Sequence, residues 1–333
     1  MRVIIYGLGH RFFSMFSKQK VFEMAFVKDE TEIIGFADKR STMQGREILY
    51  DGQAFRVKNL HEFHTSDYDK IIVMSKVYFD EIKEELIARG YEKDQILPVE
   101  IMLEKYYDEV YHIEYYEHKV GLEIGGPTVS FSNIYNRCAR CDGLNFLSKT
   151  VWWENKTDDY RYNDVVLGRL WIAEATDMRE IEDESYEFLL SSENLEHIAN
   201  PLKALKEFSR VVKDGGIILV VVPGRDVSFD HNREYTTYNH LLEDYGNDIG
   251  EDDLSHLSEI IEKHDYERDV KCSGKKKFIE RAKRNVENRC LHHHVFDEEC
   301  LRRSFEFVGI EVLEVAELIN GNLAILGKNS LNI

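Results

Sequence analysis

The chain has 333 residues, 62 of them acidic and 43 basic, for a formal net charge of −19. Its 43% hydrophobic and 12% aromatic content supplies enough apolar surface for packed cores, which argues against a disordered chain, and the length points to two folding units. The acidic balance disfavours a nucleic-acid partner, since phosphate recognition relies on Lys and Arg, and no apolar run approaches the ~20 residues of a membrane span, so the expectation is a cytoplasmic protein.

In chain order, Val3 to Tyr6 reads as a strand running into Gly7-Leu-Gly9, and Arg11 to Phe26 carries apolar residues at helical spacing. Strand, glycine turn and helix open a dinucleotide-type unit. Glu32 to Phe36 and Lys70 to Met74 read as further strands, and Tyr78 to Gly90 as a helix closed by glycine. The glycine fingerprint fits only G-x-G-x-x-F, with Phe12 where a third glycine would allow close helix packing. Asp38 would suit a ribose and Lys39-Arg40 a phosphate, so NAD(P) or another nucleotide is one reading of this unit; docking or substrate presentation is the other. The expected boundaries are a Rossmann-like domain over 1–105, a linker over 106–118 and a second domain over 119–333.

In the second half, Val120 to Ile124 reads as a strand, Asp142 as the end of a second and Tyr186 to Leu190 as another. A helix from Pro201 to Val212 stops before Asp214-Gly215-Gly216, and Ile217 to Val222 is a wholly apolar strand suited to a buried position. Asp297 to Val308 reads as a helix, with Glu311 to Leu318 and Asn322 to Gly327 as an antiparallel pair. The predicted class is therefore α/β: two doubly wound parallel-sheet domains, the second with a helical insertion over about 225–296. That insertion would form a lid or the contact of a homo-oligomer.

The segment Leu195-Glu-His-Ile-Ala-Asn-Pro-Leu-Lys-Ala-Leu-Lys-Glu-Phe-Ser-Arg-Val-Val-Lys-Asp-Gly-Gly216, preceded by the glycine turn Gly121-Leu-Glu-Ile-Gly-Gly-Pro127, resembles the class I S-adenosylmethionine-dependent methyltransferases over roughly residues 118–225. The resemblance implies that Glu123, Gly125 and Gly126, with Pro127 and Ser192 beside them, hold the amino-acid part of S-adenosylmethionine. It likewise places Asp142 on the ribose and Asp177, with Met178, at the adenine. Pro127-Thr128 stands where the family carries a third glycine, which puts the detail of the amino-acid pocket in question. The N-terminal unit similarly resembles domains attached to enzymes of sugar and polysaccharide modification. Together these imply a methyltransferase acting on an oxygen of a carbohydrate or other small polar acceptor; a non-catalytic binding protein that keeps the fold is the alternative.

Transfer to a hydroxyl needs a proton acceptor, and histidine titrates nearest neutrality. His197, His231, His292, His293 and His294 are the candidates, although three adjacent histidines cannot share one face. Asp230, His231 and His293 form an alternative divalent-metal set. The five scattered cysteines do not make a disulfide framework; Cys138 and Cys141 read as residues flanking a strand, with zinc the less favoured reading.

Overall fold

The computed structural model describes residues 1–9, 12–13, 31–75, 78–150, 157–269 and 274–330. Most of the helix expected over Arg11 to Phe26 lies outside them. The chain divides into two compact units, Met1–Val110 and Tyr111–Ile333.

In the first unit β1 (Arg2–Tyr6), β2 (Glu32–Ala37), β5 (Lys70–Val73) and β6 (Ile96–Pro98) form a parallel sheet in the order β2-β1-β5-β6. Their side chains are nearly all apolar because both faces are covered: Val3, Ile4, Ile5, Ile71, Ile72 and Val73 have no exposed surface. A hairpin of β3 (Glu47–Tyr50) and β4 (Gln53–Arg56) was not anticipated, although Asp51-Gly52, both at positive φ, is a type I′ signal. Helix α1 (Phe79–Ala88) follows β5, and α2 (Glu100–Val110) extends to the last residue of the unit, through the start of the stretch read as a linker.

The second unit is built on an eight-stranded mixed sheet. Its strands are β7 (Val120–Ile124), β8 (Arg140–Asn145), β9 (Asp159–Tyr162), β10 (Val165–Ile172), β11 (Tyr186–Ser192), β12 (Val212–Val222), β13 (Ile310–Glu317) and β14 (Leu323–Asn329), in the order β13-β14-β12-β11-β7-β8-β10-β9. The middle is parallel; β14 runs antiparallel between β12 and β13, and β9 is antiparallel to β10. The β9–β10 hairpin was also missed, though its turn residues Asn163 and Asp164 both have positive φ. The strand thought to end at Asp142 continues three residues further, because β8 keeps register with β7 as far as Ile124 opposite Leu144.

Helix α3 (Ser132–Arg137) follows the β7 turn. Helix α4 (Pro201–Val211) connects β11 to β12: Asn200 caps it by accepting from Lys203 N–H at 3.1 Å, and Pro201 supplies a preset φ at N1. Its apolar face, including Leu202, Leu205 and Phe208, is fully buried against the sheet, each such side chain contributing roughly 2 kcal/mol. The insertion contains α5 (Tyr238–Gly246), α6 (Leu257–Lys263), α7 (Lys275–Ala282) and α8 (Asn285–Asn288), with a small core of Ile260, Phe278, Ala282 and Leu291. The chain then runs extended through the histidine tract into α9 (Glu298–Phe307), capped by Asp297.

The parallel centre is packed without slack. A Cβ on Gly121 of β7 would lie 2.0 Å from the Phe188 ring, which is itself fully buried. Gly121→Ala is therefore expected to cost about 1–3 kcal/mol by overpacking, read from urea denaturation; an unchanged midpoint would show that the ring can move aside.

Candidate active site

The chain turns sharply where β7 ends. Gly125 has φ +80, and a Cβ there would sit 2.5 Å from Asn194 Nδ2; one on Gly126 would sit 2.0 Å from Glu123 Oε1 and 2.3 Å from the Tyr160 hydroxyl. The close backbone approach thus accommodates the chain's own polar groups. Glu123 is fully buried, and its Oε2 accepts from the hydroxyls of Tyr135 and Tyr160, each at 2.7 Å. Burial outweighs these bonds and pushes its carboxyl up to about 7. Pro127 follows Gly126 through a cis peptide. Glu123 Oε1, Ser191 Oγ and Asn194 Oδ1 are buried with no hydrogen-bond partner among the described residues. An unanswered cluster rich in acceptors suits a donor-bearing, cationic group.

Three residues expected at the nucleoside end are differently engaged. Asp142, inside β8, accepts from Arg169 N–H at 2.9 Å and from the Tyr186 hydroxyl at 2.9 Å, so it fastens β8 to its neighbours instead of facing a cleft. Asp177 pairs with the exposed Arg179. Met178 is wholly buried and gives its N–H to Glu207 at 2.6 Å. Ser192 closes β11 beside Val221 and is half-buried. The residue that does stand at the carboxyl end of β8 is Asn145, whose Nδ2 reaches Gly126 O at 3.4 Å. It lies 20 positions past Gly125, and the sequence motif does not single it out.

At the same end of the sheet, the turn after β11 carries Glu196 and His197, and the extended tract 290–296 crosses it. His293 N–H donates to Glu196 O at 2.8 Å, pinning the two together. His292 and His294 line a narrow cleft together with Glu196, Asp230 and Ser228. His292 Nδ1 lies 2.5 Å from Asp230 Oδ2, and its Nε2 lies 4.0 Å from Glu196 Oε1. His197 Nδ1 lies 3.0 Å from Leu291 O, and its ring meets that of His292 edge-on at 4.5 Å.

Charge is distributed unevenly here. Burial would raise Asp230, but His292 and Arg233 outweigh it and bring the carboxyl down to about 2. Burial would lower His292, and Asp230 reverses that, leaving the imidazole raised. Glu196, 2% exposed with neither oxygen hydrogen-bonded among the described residues, is driven by burial up to about 8. Burial and the neighbouring His292 hold His197 well below its ordinary value.

The remaining histidines engage other partners, His294 among them although it also lines the cleft. His231 points its Nε2 at Asp265, 2.9 Å away and part-exposed; His293 faces the other way, onto Asn285; His294 Nε2 is 3.2 Å from Ala199 O. The metal set Asp230, His231 and His293 is therefore not assembled, since each reaches a different partner. The His/Cys/carboxylate groupings close enough for one ion, among the described residues, are Glu196, His197 and His292, and His240, Asp244 and His294. Neither includes a cysteine: Cys141 is buried within β8 and Cys138 ends α3. In the first unit, Asp38 is buried with its carboxylate taken by Leu8 N–H and by Arg40, which together hold the first glycine turn.

Residues 122–220 match the family model described as a methyltransferase domain, and residues 1–97 match one described as C2185-like, N-terminal. Among solved structures, the chain is similar to an S-adenosylmethionine-dependent methyltransferase from Methanosarcina mazei (16% identity, 67% of this chain and 98% of that one, TM-score 0.41). It is also similar to one from Mesorhizobium loti (8%, 68% and 97%, TM-score 0.42) and one from Aquifex aeolicus (12%, 67% and 88%, TM-score 0.39). Among curated proteins, none matches. With the sheet order above, the second unit has the class I S-adenosylmethionine-dependent methyltransferase fold. The predicted fold class holds, with a mixed sheet in this unit and a separate parallel sheet in the first. No described helix is long and apolar enough to cross a membrane.

Glu123 gives this site a measurable signature. Its folded-state value lies above the ordinary 4.5, so the stability supplied by the neutral acid is complete below pH 4.5 and lost as pH rises through about 7. Glu123→Gln removes that dependence. The stability gap between wild type and variant should change by about 3 kcal/mol from pH 4 to pH 9 in denaturant titrations, and a constant gap would refute the assignment.

Proposed function

We propose that the chain transfers a methyl group from S-adenosylmethionine to an oxygen of a sugar or other small polar acceptor. The observation that carries this reading is the Asp230–His292 pair beside Glu196, whose oxygens have no hydrogen-bond partner among the described residues and which follows the carboxyl end of β11, where open α/β sheets bind ligands. Resemblance of the N-terminal unit to domains of polysaccharide-modifying enzymes supports the sugar class; it is an argument from domain company.

The residues present fit the cofactor. Glu123 Oε1 and Asn194 Oδ1 offer acceptors that would suit the ammonium of its amino-acid part, the Gly125-Gly126 backbone and Pro127 would border that group, and Asn145, at the carboxyl end of β8, would meet the ribose. When bound, S-adenosylmethionine supplies an electrophilic methyl. The protein then has to orient the acceptor and take its proton. Asp230, kept ionised by His292 and Arg233, accepts from His292 Nδ1–H and so fixes the tautomer whose Nε2 faces the cleft as a base.

Calorimetric titration should show one S-adenosylmethionine bound per chain, and His292→Ala and Asp230→Asn should retain that affinity while lowering turnover by about 10²–10⁴ on an acceptor found by screening sugars and nucleotide sugars. His231→Ala should leave turnover unchanged, since that ring is held by Asp265 outside the cleft. Binding of NAD(P) without S-adenosylmethionine would sink the proposal and favour the non-catalytic alternative.

A further inference from the structure

We infer that Glu196, His197 and His292 form a site for a divalent transition-metal ion, Zn2+ by its donor set, with a fourth coordination position open to the adjacent cleft. Metal binding itself does not depend on the methyl-transfer reading; only its catalytic consequence rests on it.

The first support is the carboxylate. Glu196 is 2% exposed, and neither oxygen has a hydrogen-bond partner among the described residues. Burying an ion without compensation costs several kcal/mol, so such a group neutralises or acquires a cation. A proton alone satisfies it poorly, because the nearest ring nitrogens, His197 Nε2 at 3.9 Å and His292 Nε2 at 4.0 Å, lie beyond hydrogen-bond reach.

Those separations suit an ion between them. Zn2+ holds nitrogen and oxygen ligands at about 2.0–2.2 Å, which in a tetrahedron puts ligand atoms roughly 3.3–3.5 Å apart; the two glutamate–histidine separations exceed this by about half an ångström, and all three ligand atoms lie within 4.8 Å of one another. Two histidines, one glutamate and an open position is a catalytic zinc composition.

The second support is the outer layer. Metal-bound histidines donate their other ring N–H to a carboxylate or a backbone carbonyl, which fixes the tautomer and the ring. His292 does this to Asp230 Oδ2 and His197 to Leu291 O. Arg233 holds that layer in turn, bonding Asp230 Oδ1 at 3.1 Å, His292 O at 2.8 Å and His293 O at 3.1 Å. A narrow cleft adjoins the set, its walls including Pro223, Ser228 and Phe296. A hydroxyl bound at the fourth position would lose its proton more readily, as zinc-bound water does near pH 7. In that case the His292 Nε2 lone pair serves the metal and not the proton.

The test titrates the full-length, metal-stripped chain with Zn2+, Mg2+ and Co2+ in turn. The expected result is one Zn2+ per chain, no Mg2+ at the same concentrations, and the visible d–d absorption of four-coordinate Co2+. Glu196→Gln and His292→Ala should weaken Zn2+ by more than about 100-fold, and Asp230→Asn by about 10–100-fold, with folding checked by circular dichroism. His240→Ala, in the neighbouring grouping with Asp244 and His294, should leave the stoichiometry intact. Absence of the Co2+ spectrum in the wild-type chain overturns the inference whether or not the variants fold, as does Zn2+ uptake that survives Glu196→Gln or disappears with His240→Ala. Zinc uptake with no effect on turnover would fail the methyl-transfer role and leave the metal site standing.

Discussion

The backbone bond from His293 N–H to the carbonyl of Glu196 joins two stretches of chain nearly a hundred residues apart. Everything distinctive about the cleft depends on it. It fixes the extended tract across the end of β11, and an extended chain alternates its side chains, so His292 and His294 must face one way and His293 the other. The parallel sheet supplies the rigid half of this arrangement, since β11 is held between β7 and β12 by continuous ladders. The insertion supplies the other half through Asp230 and Arg233, whose guanidinium bonds the carbonyls of His292 and His293.

Two buried carboxylates near that junction are driven in opposite directions by their surroundings. Asp230 meets a guanidinium and an imidazole and stays ionised; Glu196 meets neither within hydrogen-bond distance. Burial is common to both, so the partners decide the difference. A third carboxylate, Glu123, is intermediate: two tyrosine hydroxyls satisfy one oxygen and leave the other bare against the glycine turn. Among the described residues, unmet acceptors thus accumulate where β7 and β11 end, while carboxylates elsewhere, such as Asp142 in β8 and Glu207 in α4, are consumed by structure.

That contrast explains which site residues could be read from the sequence. His197, His292 and Glu123 do sit at the ends of their strands or in the cleft. The resemblance to class I methyltransferases implies nucleoside roles for Asp142 and Asp177, yet one lies three residues inside its strand and the other pairs with a surface arginine. His231 and His293 qualify as candidate bases by residue type alone, and residue type says nothing about the direction of a side chain in a loop. Glu196 carries no sequence signal of its own, because what distinguishes it is that neither oxygen has a hydrogen-bond partner among the described residues.

The sequence by itself determined the alternation of strands and helices, the glycine turn after Val120 to Ile124, the capped helix from Pro201 and the α/β class. These follow from local periodicity and backbone preference, which neighbouring residues carry. Only the tertiary structure decided which polar groups satisfy one another and which are left over. Hydrogen-bond satisfaction at this site depends on groups that the fold brings together from distant positions, such as His197 and Leu291, 94 residues apart, and no local pattern encodes it.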